Sequence, residues 1–239
     1  MRKINNYAIV TGGSSGLGFE LSKRLVMNGK NVIIIGRNEE KLKIAQNKLD
    51  EMNSDSVVIN YSFDISNEAQ VDMFFDDLRD KKIMVNYLYN NAGKGFYGKV
   101  ENISSKDINE VFNSNLIGLI LMTSRFIGLT KNNGTYTRVV NILSTAALVG
   151  KKMETVYNSA KWGARGFLES LRDEMKGINI DVIICCPGGM NTEFWTDIES
   201  GYAFDTFMDP EWVAEEIVKT TTDERIVVTD IVINRRKFK

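Results

Sequence analysis

Seven short runs rich in β-branched and aromatic residues alternate along this chain with longer amphipathic runs. Two of the short runs, Val32-Ile33-Ile34-Ile35 and Val182-Ile183-Ile184, are apolar at every position rather than at every second one. A strand that is apolar on both sides must be covered on both faces, and a parallel sheet flanked by helices meets that need. The pattern predicts strands over 7–11, 32–36, 57–62, 87–90, 138–143, 180–185 and 226–233. Helices are expected over 16–28, 39–52, 68–80, 106–130, 155–176 and 210–220. The punctuation agrees: Asn28-Gly29 closes the first helix, Ser66 is placed to cap the third, and Asp209-Pro210 opens the last. The alternation predicts a doubly wound α/β fold with right-handed crossovers. At 239 residues, without repeat or linker, it is expected to be a single domain spanning 1–239. The one long irregular stretch, 188–208, reads as a lid loop.

Composition narrows the chemistry. The chain has no histidine, which removes His-based triads and His-ligated metals and leaves proton transfer to Tyr, Lys, a carboxylate or water. Its two cysteines, Cys185 and Cys186, are adjacent in an apolar run, a setting for core packing rather than a disulfide or a metal site. A formal net charge of -1 gives no field for nucleic acid, and the basic residues Arg235, Arg236, Lys237 and Lys239 read as a solvated end. No signal-like or membrane-spanning apolar run stands out, so a soluble, cytoplasmic protein without a membrane partner is expected.

The first strand runs into Thr11-Gly12-Gly13-Ser14-Ser15-Gly16-Leu17-Gly18, and a helix follows. Glycines let the backbone approach a ligand, and a helix N-terminus offers free N–H groups to a diphosphate. The second strand ends in Gly36-Arg37-Asn38. Dinucleotide folds that bind NAD place an acid here for the ribose hydroxyls, whereas Arg37 without a carboxylate suits the 2′-phosphate of NADP(H). NADP(H) is therefore the expected cofactor, with Arg37 and Asn38 at its ribose end and NAD(H) the alternative. Asp64, after the third strand, is suited either to hydrogen-bond adenine or to help cap the next helix.

Tyr157 and Lys161 stand four apart, one turn along one helical face. A phenol titrates near ~10, and a neighbouring ammonium is expected to lower that value. Ser144 follows the fifth predicted strand. With these residues, the chain resembles the short-chain dehydrogenase/reductase superfamily, in its shorter single-domain branch. The resemblance runs in order through nearly the whole sequence: Thr11-Gly12-x-x-x-Gly16-x-Gly18, Asn90-Asn91-Ala92-Gly93, Asn115, Ser144, Tyr157 and Lys161, and Pro187-Gly188 with Thr192. Met190 departs from the β-branched residue usual there. The ending 227–234 lacks the glycine-rich close typical of 3-oxoacyl-carrier-protein reductases and looks more like general carbonyl or 3-hydroxy-acid reductases.

The resemblance implies a Rossmann-type, seven-stranded parallel sheet in the order 3-2-1-4-5-6-7. It implies hydride transfer between nicotinamide and a carbonyl or secondary alcohol. Tyr157 would be the general acid in reduction, Lys161 would hold the nicotinamide ribose and depress the Tyr157 pKa, and Ser144 would position the substrate oxygen. Asn115 would support a water-linked proton path to Lys161. Gly12, Ser14, Ser15, Gly16, Leu17, Gly18, Asn91, Ala92 and Gly93 would line the cofactor. Asp64 and Ile65 would flank adenine, and Pro187, Gly188, Met190 and Thr192 would contact the nicotinamide end. Phe96, Tyr97, Phe194, Trp195, Tyr202, Phe204 and Phe207 would either face an apolar ketone or aldehyde or pack the lid. The long helices, with Leu116, Leu119, Ile120, Phe167 and Leu168, would pair subunits into a homodimer or homotetramer. A non-catalytic NAD(P)-sensing protein on the same fold is the competing reading, disfavoured because Asn115, Ser144, Tyr157 and Lys161 are all retained.

Overall fold

The computed structural model describes residues 6–195 and 206–236. In chain order the elements are β1 (Asn6–Thr11), α1 (Gly16–Met27), β2 (Asn31–Gly36), α2 (Glu39–Asp50), β3 (Val58–Ser62), α3 (Glu68–Asp80), β4 (Met84–Asn90), α4 (Ser105–Phe112), α5 (Gly118–Thr130), β5 (Thr137–Ile142), α6 (Thr155–Glu174), β6 (Ile180–Pro187), α7 (Pro210–Thr222) and β7 (Asp230–Ile233). The strands form one parallel sheet in the order β3-β2-β1-β4-β5-β6-β7.

Side chains alternate across a strand, so the continuous apolar runs feed two cores. Ile9, Ile33 and Ile35 point to the face covered by α3, α5 and α6, where Phe74, Phe126 and Leu168 are buried. Ala8, Val10, Val32 and Ile34 point to the other face, under α1, α2 and α7, with Leu21, Leu42 and Ile217. Cys185 and Cys186 are free, buried and split between the two faces, as their apolar setting predicts. Gly29 at φ +73 ends α1, and the Asp209 side chain accepts from the Glu211 N–H to start α7, both as the punctuation predicts.

Three expectations need correction. Asn67, not Ser66, caps α3, its side chain accepting from the Gln70 N–H. Ser66 instead donates through its N–H and hydroxyl to Asp64 Oδ1, closing a turn ahead of the helix. The helix expected over 106–130 is two helices joined by a π-helical turn, Asn113–Ile117. The widened turn is supported by Asn115, whose Nδ2 donates to the carbonyls of Val111 at 2.9 Å and Lys94 at 2.7 Å. By length and composition the stretch Ser105–Thr130 would reach across a membrane, yet Leu119, Met122 and Phe126 pack on the sheet. Finally, β7 begins at Asp230 rather than at 226. Ahead of it, the Ile226 carbonyl accepts from Arg138 and the Thr229 carbonyl from Arg172.

Arg138 organises that end of the molecule. Its side chain is 1% exposed, within β5, and it stands 3.3 Å from Asp181 on β6. It also donates to the Thr221 carbonyl at 2.7 Å and the Ile226 carbonyl at 2.8 Å. Removing it leaves the partly buried Asp181 carboxylate and two carbonyls without that donor. Arg138→Ala is expected to lower unfolding free energy by about 3–5 kcal/mol, measured by urea denaturation; a loss below about 1 kcal/mol would mean the pairing is only a surface-type contact.

Candidate active site

Every parallel strand delivers its C-terminal end to the same edge of the sheet, where the loops open a crevice. Thr11, closing β1, ties that edge together: its hydroxyl accepts from the N–H groups of Asn91 and Ala92, both at 3.0 Å. Asn91 Nδ2 returns a bond to the Thr11 carbonyl at 3.0 Å. Below them Asn90 donates to Asn141 across the β4–β5 pair, and Asn141 donates on to the carbonyls of Val139 and Ile183.

The glycine turn has a steric reason at two positions. Gly12 sits at φ +66, which a side chain disfavours. A Cβ on Gly18 would come 2.0 Å from the Gly12 carbonyl oxygen, so α1 can start this close to β1 only with glycine there. The start of α1 is also electrostatically open. The helices α2, α3, α4 and α7 each carry a side-chain cap and an acid in the first turn. α1 has neither. Its free N–H groups and positive dipole end suit an anion such as a diphosphate.

A cavity of about 1210 Å³ extends from this turn. Gly12, Ser15, Gly16, Leu17 and Gly18 line it, as do Asn91, Ala92 and Gly93, Ser144, Tyr157 and Lys161, and Pro187, Gly188, Met190 and Thr192. The remaining expected site residues lie off its wall. Ser14 is beside Gly36, and Arg37 and Asn38 are exposed at the end of β2, with the Asn38 side chain capping α2. Asp64 holds the turn described above, and Ile65 is buried against Gly118. Asn115 is 1% exposed, just behind the wall. Its Oδ1 has no hydrogen-bond partner among the described residues, and a Cβ on Gly93 would meet that oxygen at 2.7 Å and Lys161 Nζ at 3.7 Å. An unmet acceptor beside the lysine fits a water-linked path there.

Five charged residues that the motifs do not mark also line the cavity: Lys41, Lys151, Glu154, Glu193 and Arg235. Lys41 lies in the first turn of α2, four residues after Arg37, and Glu154 stands at the N-cap of α6, three residues before Tyr157. Lys41 pairs with Glu193 at 2.9 Å, joining α2 to the segment after β6. Aromatic rings stack edge to face along the wall: Tyr157 to Phe194 at 6.0 Å, Phe194 to Trp195 at 5.1 Å and Trp195 to Phe207 at 5.5 Å. The Arg235 guanidinium lies over Phe207 at 5.5 Å. The Phe96 side chain packs near Tyr157 in a small apolar cluster. Tyr202, Phe204 and the 196–205 part of the expected lid lie outside the described residues.

The electrostatics differ from the expectation at Tyr157. Lys161 Nζ stands 5.7 Å from the Tyr157 ring centroid and donates to the Ile142 carbonyl at 3.1 Å. It does not acidify the phenol. Burial pushes Tyr157 well above the ordinary phenol value, Glu154 pushes it further, and Ser144 pulls it partly back. Desolvation sets the direction, and it acts on the neighbouring lysine too, lowering Lys161 to about 8. A phenol that stays protonated at neutral pH is suited to donate a proton. Ser144 Oγ accepts from the Ala146 N–H at 3.1 Å, leaving its own O–H to donate as well.

The short chain dehydrogenase family model matches residues 6–203. The chain belongs to the short-chain dehydrogenase family. Within that family it is 29% identical to the 3-ketodihydrosphingosine reductase of Bos taurus over 224 residues, 89% of this chain and 67% of the relative. A short-chain dehydrogenase/reductase from Vibrio parahaemolyticus superposes with a TM-score of 0.83 at 30% identity, covering 97% of this chain and 98% of that one. A variant of actinorhodin polyketide ketoreductase, solved with NADPH, gives a TM-score of 0.84 at 25% identity over 96% and 95% of the two chains.

The lowered lysine makes a prediction about stability. Lys161 has a folded value of about 8 against 10.5 when solvated. Between these values the unfolded chain binds the extra proton, so stability rises as pH climbs from 8 towards 10.5. Below that window the burial cost is fully present. Lys161→Met is expected to stabilise the fold at pH 7 by roughly 2–3 kcal/mol and to flatten the rise, as followed by denaturant midpoints across pH. Destabilisation at pH 7 would contradict it.

Proposed function

We propose that the chain is an NADP(H)-dependent reductase of ketones or aldehydes with apolar substituents, acting in the cytoplasm as a homo-oligomer. One observation carries the catalytic part: Ser144, Tyr157 and Lys161 share the wall of a cavity that begins at an uncapped glycine turn. The N–H groups at the start of α1 would hold the diphosphate, Asn91, Ala92 and Gly93 would line the cofactor, and Lys161 would take the nicotinamide ribose hydroxyls. When bound, the nicotinamide supplies the hydride. The carbonyl oxygen gains charge as that hydride arrives; Ser144 donates a hydrogen bond to it and Tyr157 donates the proton that completes the alcohol. Asn115 Oδ1 and Lys161 hold the water path that returns a proton to the phenol.

Arg37, with no carboxylate at Gly36, and Lys41 in the first turn of α2 support NADP over NAD. The ketoreductase solved with NADPH points the same way. The Phe194, Trp195 and Phe207 wall supports an apolar substrate. In a carbonyl panel followed by nicotinamide absorbance, NADPH should have the lower KM than NADH. Tyr157→Phe should lower kcat by about 10²–10⁴-fold. Small charged oxo-acids outrunning aryl and alkyl ketones would remove the apolar reading; cofactor binding with no turnover would favour a nucleotide sensor.

The subunit contact needs a different set of residues from those expected. Leu119 and Leu168 are buried in the core and cannot meet a partner, while Leu116, Ile120 and Phe167 are partly buried against it. The apolar side chains left outside on these neighbouring helices and the π-turn are Ile108, Ile117 and Trp162, the last 51% exposed. Light scattering at micromolar concentration should show a dimer or tetramer, and Trp162→Glu should shift it towards monomer; a wild-type monomer contradicts the assembly.

A further inference from the structure

The side-chain amide of Asn158 serves one loop. Its Nδ2 donates to the Ala146 carbonyl at 3.0 Å and to the Val149 carbonyl at 2.8 Å. Two acceptors face that atom, so the nitrogen of the amide must be the one turned to them. Asn158 is 8% exposed, and its Oδ1 has no hydrogen-bond partner among the described residues. Burying an amide with one oxygen unmet is unfavourable, so packing alone does not account for it. Asn158 directly follows Tyr157 in α6, and the loop it holds begins at Ser144.

We propose that Asn158 is a positioning residue for the reaction: through Ala146 it sets the place of the Ser144 hydroxyl relative to the Tyr157 phenol. The inference rests on the reductase reading above and deepens it. Ala146 is gripped on both sides. Its N–H donates to Ser144 Oγ at 3.1 Å, and its carbonyl accepts from Asn158. The short turn Thr145–Ala147 stiffens the span, with the Ala147 N–H on the Ser144 carbonyl at 2.9 Å and the Val149 N–H on the Thr145 carbonyl at 3.2 Å. Ser144 Oγ, Ala146 and Asn158 therefore form one bonded path that ends beside Tyr157. Lys161 adds a second tie from the next turn of α6, but it reaches the Ile142 carbonyl, at the end of β5, and not the loop beyond Ser144. Asn158 stands behind the cavity wall rather than on it, so it acts through the two hydroxyls. Ser144 and Tyr157 must meet the same carbonyl oxygen, and an error in their separation weakens both donors at once.

The test is a double-mutant cycle of Asn158→Ala with Ser144→Ala, run with NADPH and the best carbonyl of the panel under single-turnover conditions. Rates are taken per NADPH-binding site, so a partial loss of folded enzyme cancels. Asn158→Ala should lower the rate by about 10- to 100-fold while NADPH affinity stays at the wild-type value. In the Ser144→Ala background the same substitution should change the rate by no more than about twofold, because the hydroxyl it positions is already gone. Asn158→Leu, with the same branching and no donor, gives the same reading where the alanine variant does not fold. A rate within about twofold of wild type for the Asn158 variant overturns the proposal. So does an equal fold-loss in the two backgrounds, which would make Asn158 a stitch that acts independently of Ser144. Failure of the wild type to reduce any carbonyl removes the reductase reading itself, whereas turnover with a negligible or independent Asn158 effect removes this inference alone.

Discussion

The site depends on keeping a lysine out of water. Lys161 is 3% exposed, and its ammonium donates to the Ile142 carbonyl. That arrangement works against the folded state at neutral pH, and the rest of the fold offsets it with two apolar cores on opposite faces of one sheet. The same dryness governs Tyr157. Burial keeps the phenol protonated, so the group waiting beside Ser144 is an acid. Proton donation and poor solvation are therefore one property of this pocket seen from two side chains.

A parallel sheet makes such a pocket economical. Its strands end together, so residues far apart in sequence arrive at one edge without long loops. Thr11 from β1 and Asn91 after β4 are bonded to each other there, while Ser144 after β5 and Pro187 at the end of β6 face the same space. The Asn90–Asn141 bridge stiffens the floor beneath them. Aromatic rings continue the wall outward from Tyr157.

Much of this was legible in the sequence, and for definite reasons. Strand alternation, the glycine turn and the Tyr157–Lys161 spacing are local patterns with direct geometric meaning, and the fold and family follow from them. What escaped were quantities that only packing determines. Spacing says how near a lysine is to a phenol but not how dry the space is, so the direction of the Tyr157 shift came out reversed. Asn67 and Ser66 are both able caps, and only the turn at Asp64 decides between them. Glu154 reads as an ordinary polar residue ahead of a helix, because burial is invisible one residue at a time. Leu119 and Leu168 looked available to a partner subunit for the same reason.

The π-turn at Asn113–Ile117 has a bearing on how this chain tolerates change in length. Successive residues on a helix are separated by about 100° of rotation. A π turn takes up about one residue more than an α turn, so winding the same residues as a regular helix would swing the face of Leu119, Met122 and Phe126 away from the sheet and carry the Asn115 amide off the Lys94 carbonyl. An irregularity that looks dispensable in the backbone therefore acts as a phase-setter, and insertions or deletions there are far less neutral than the same edits at the chain's surface turns.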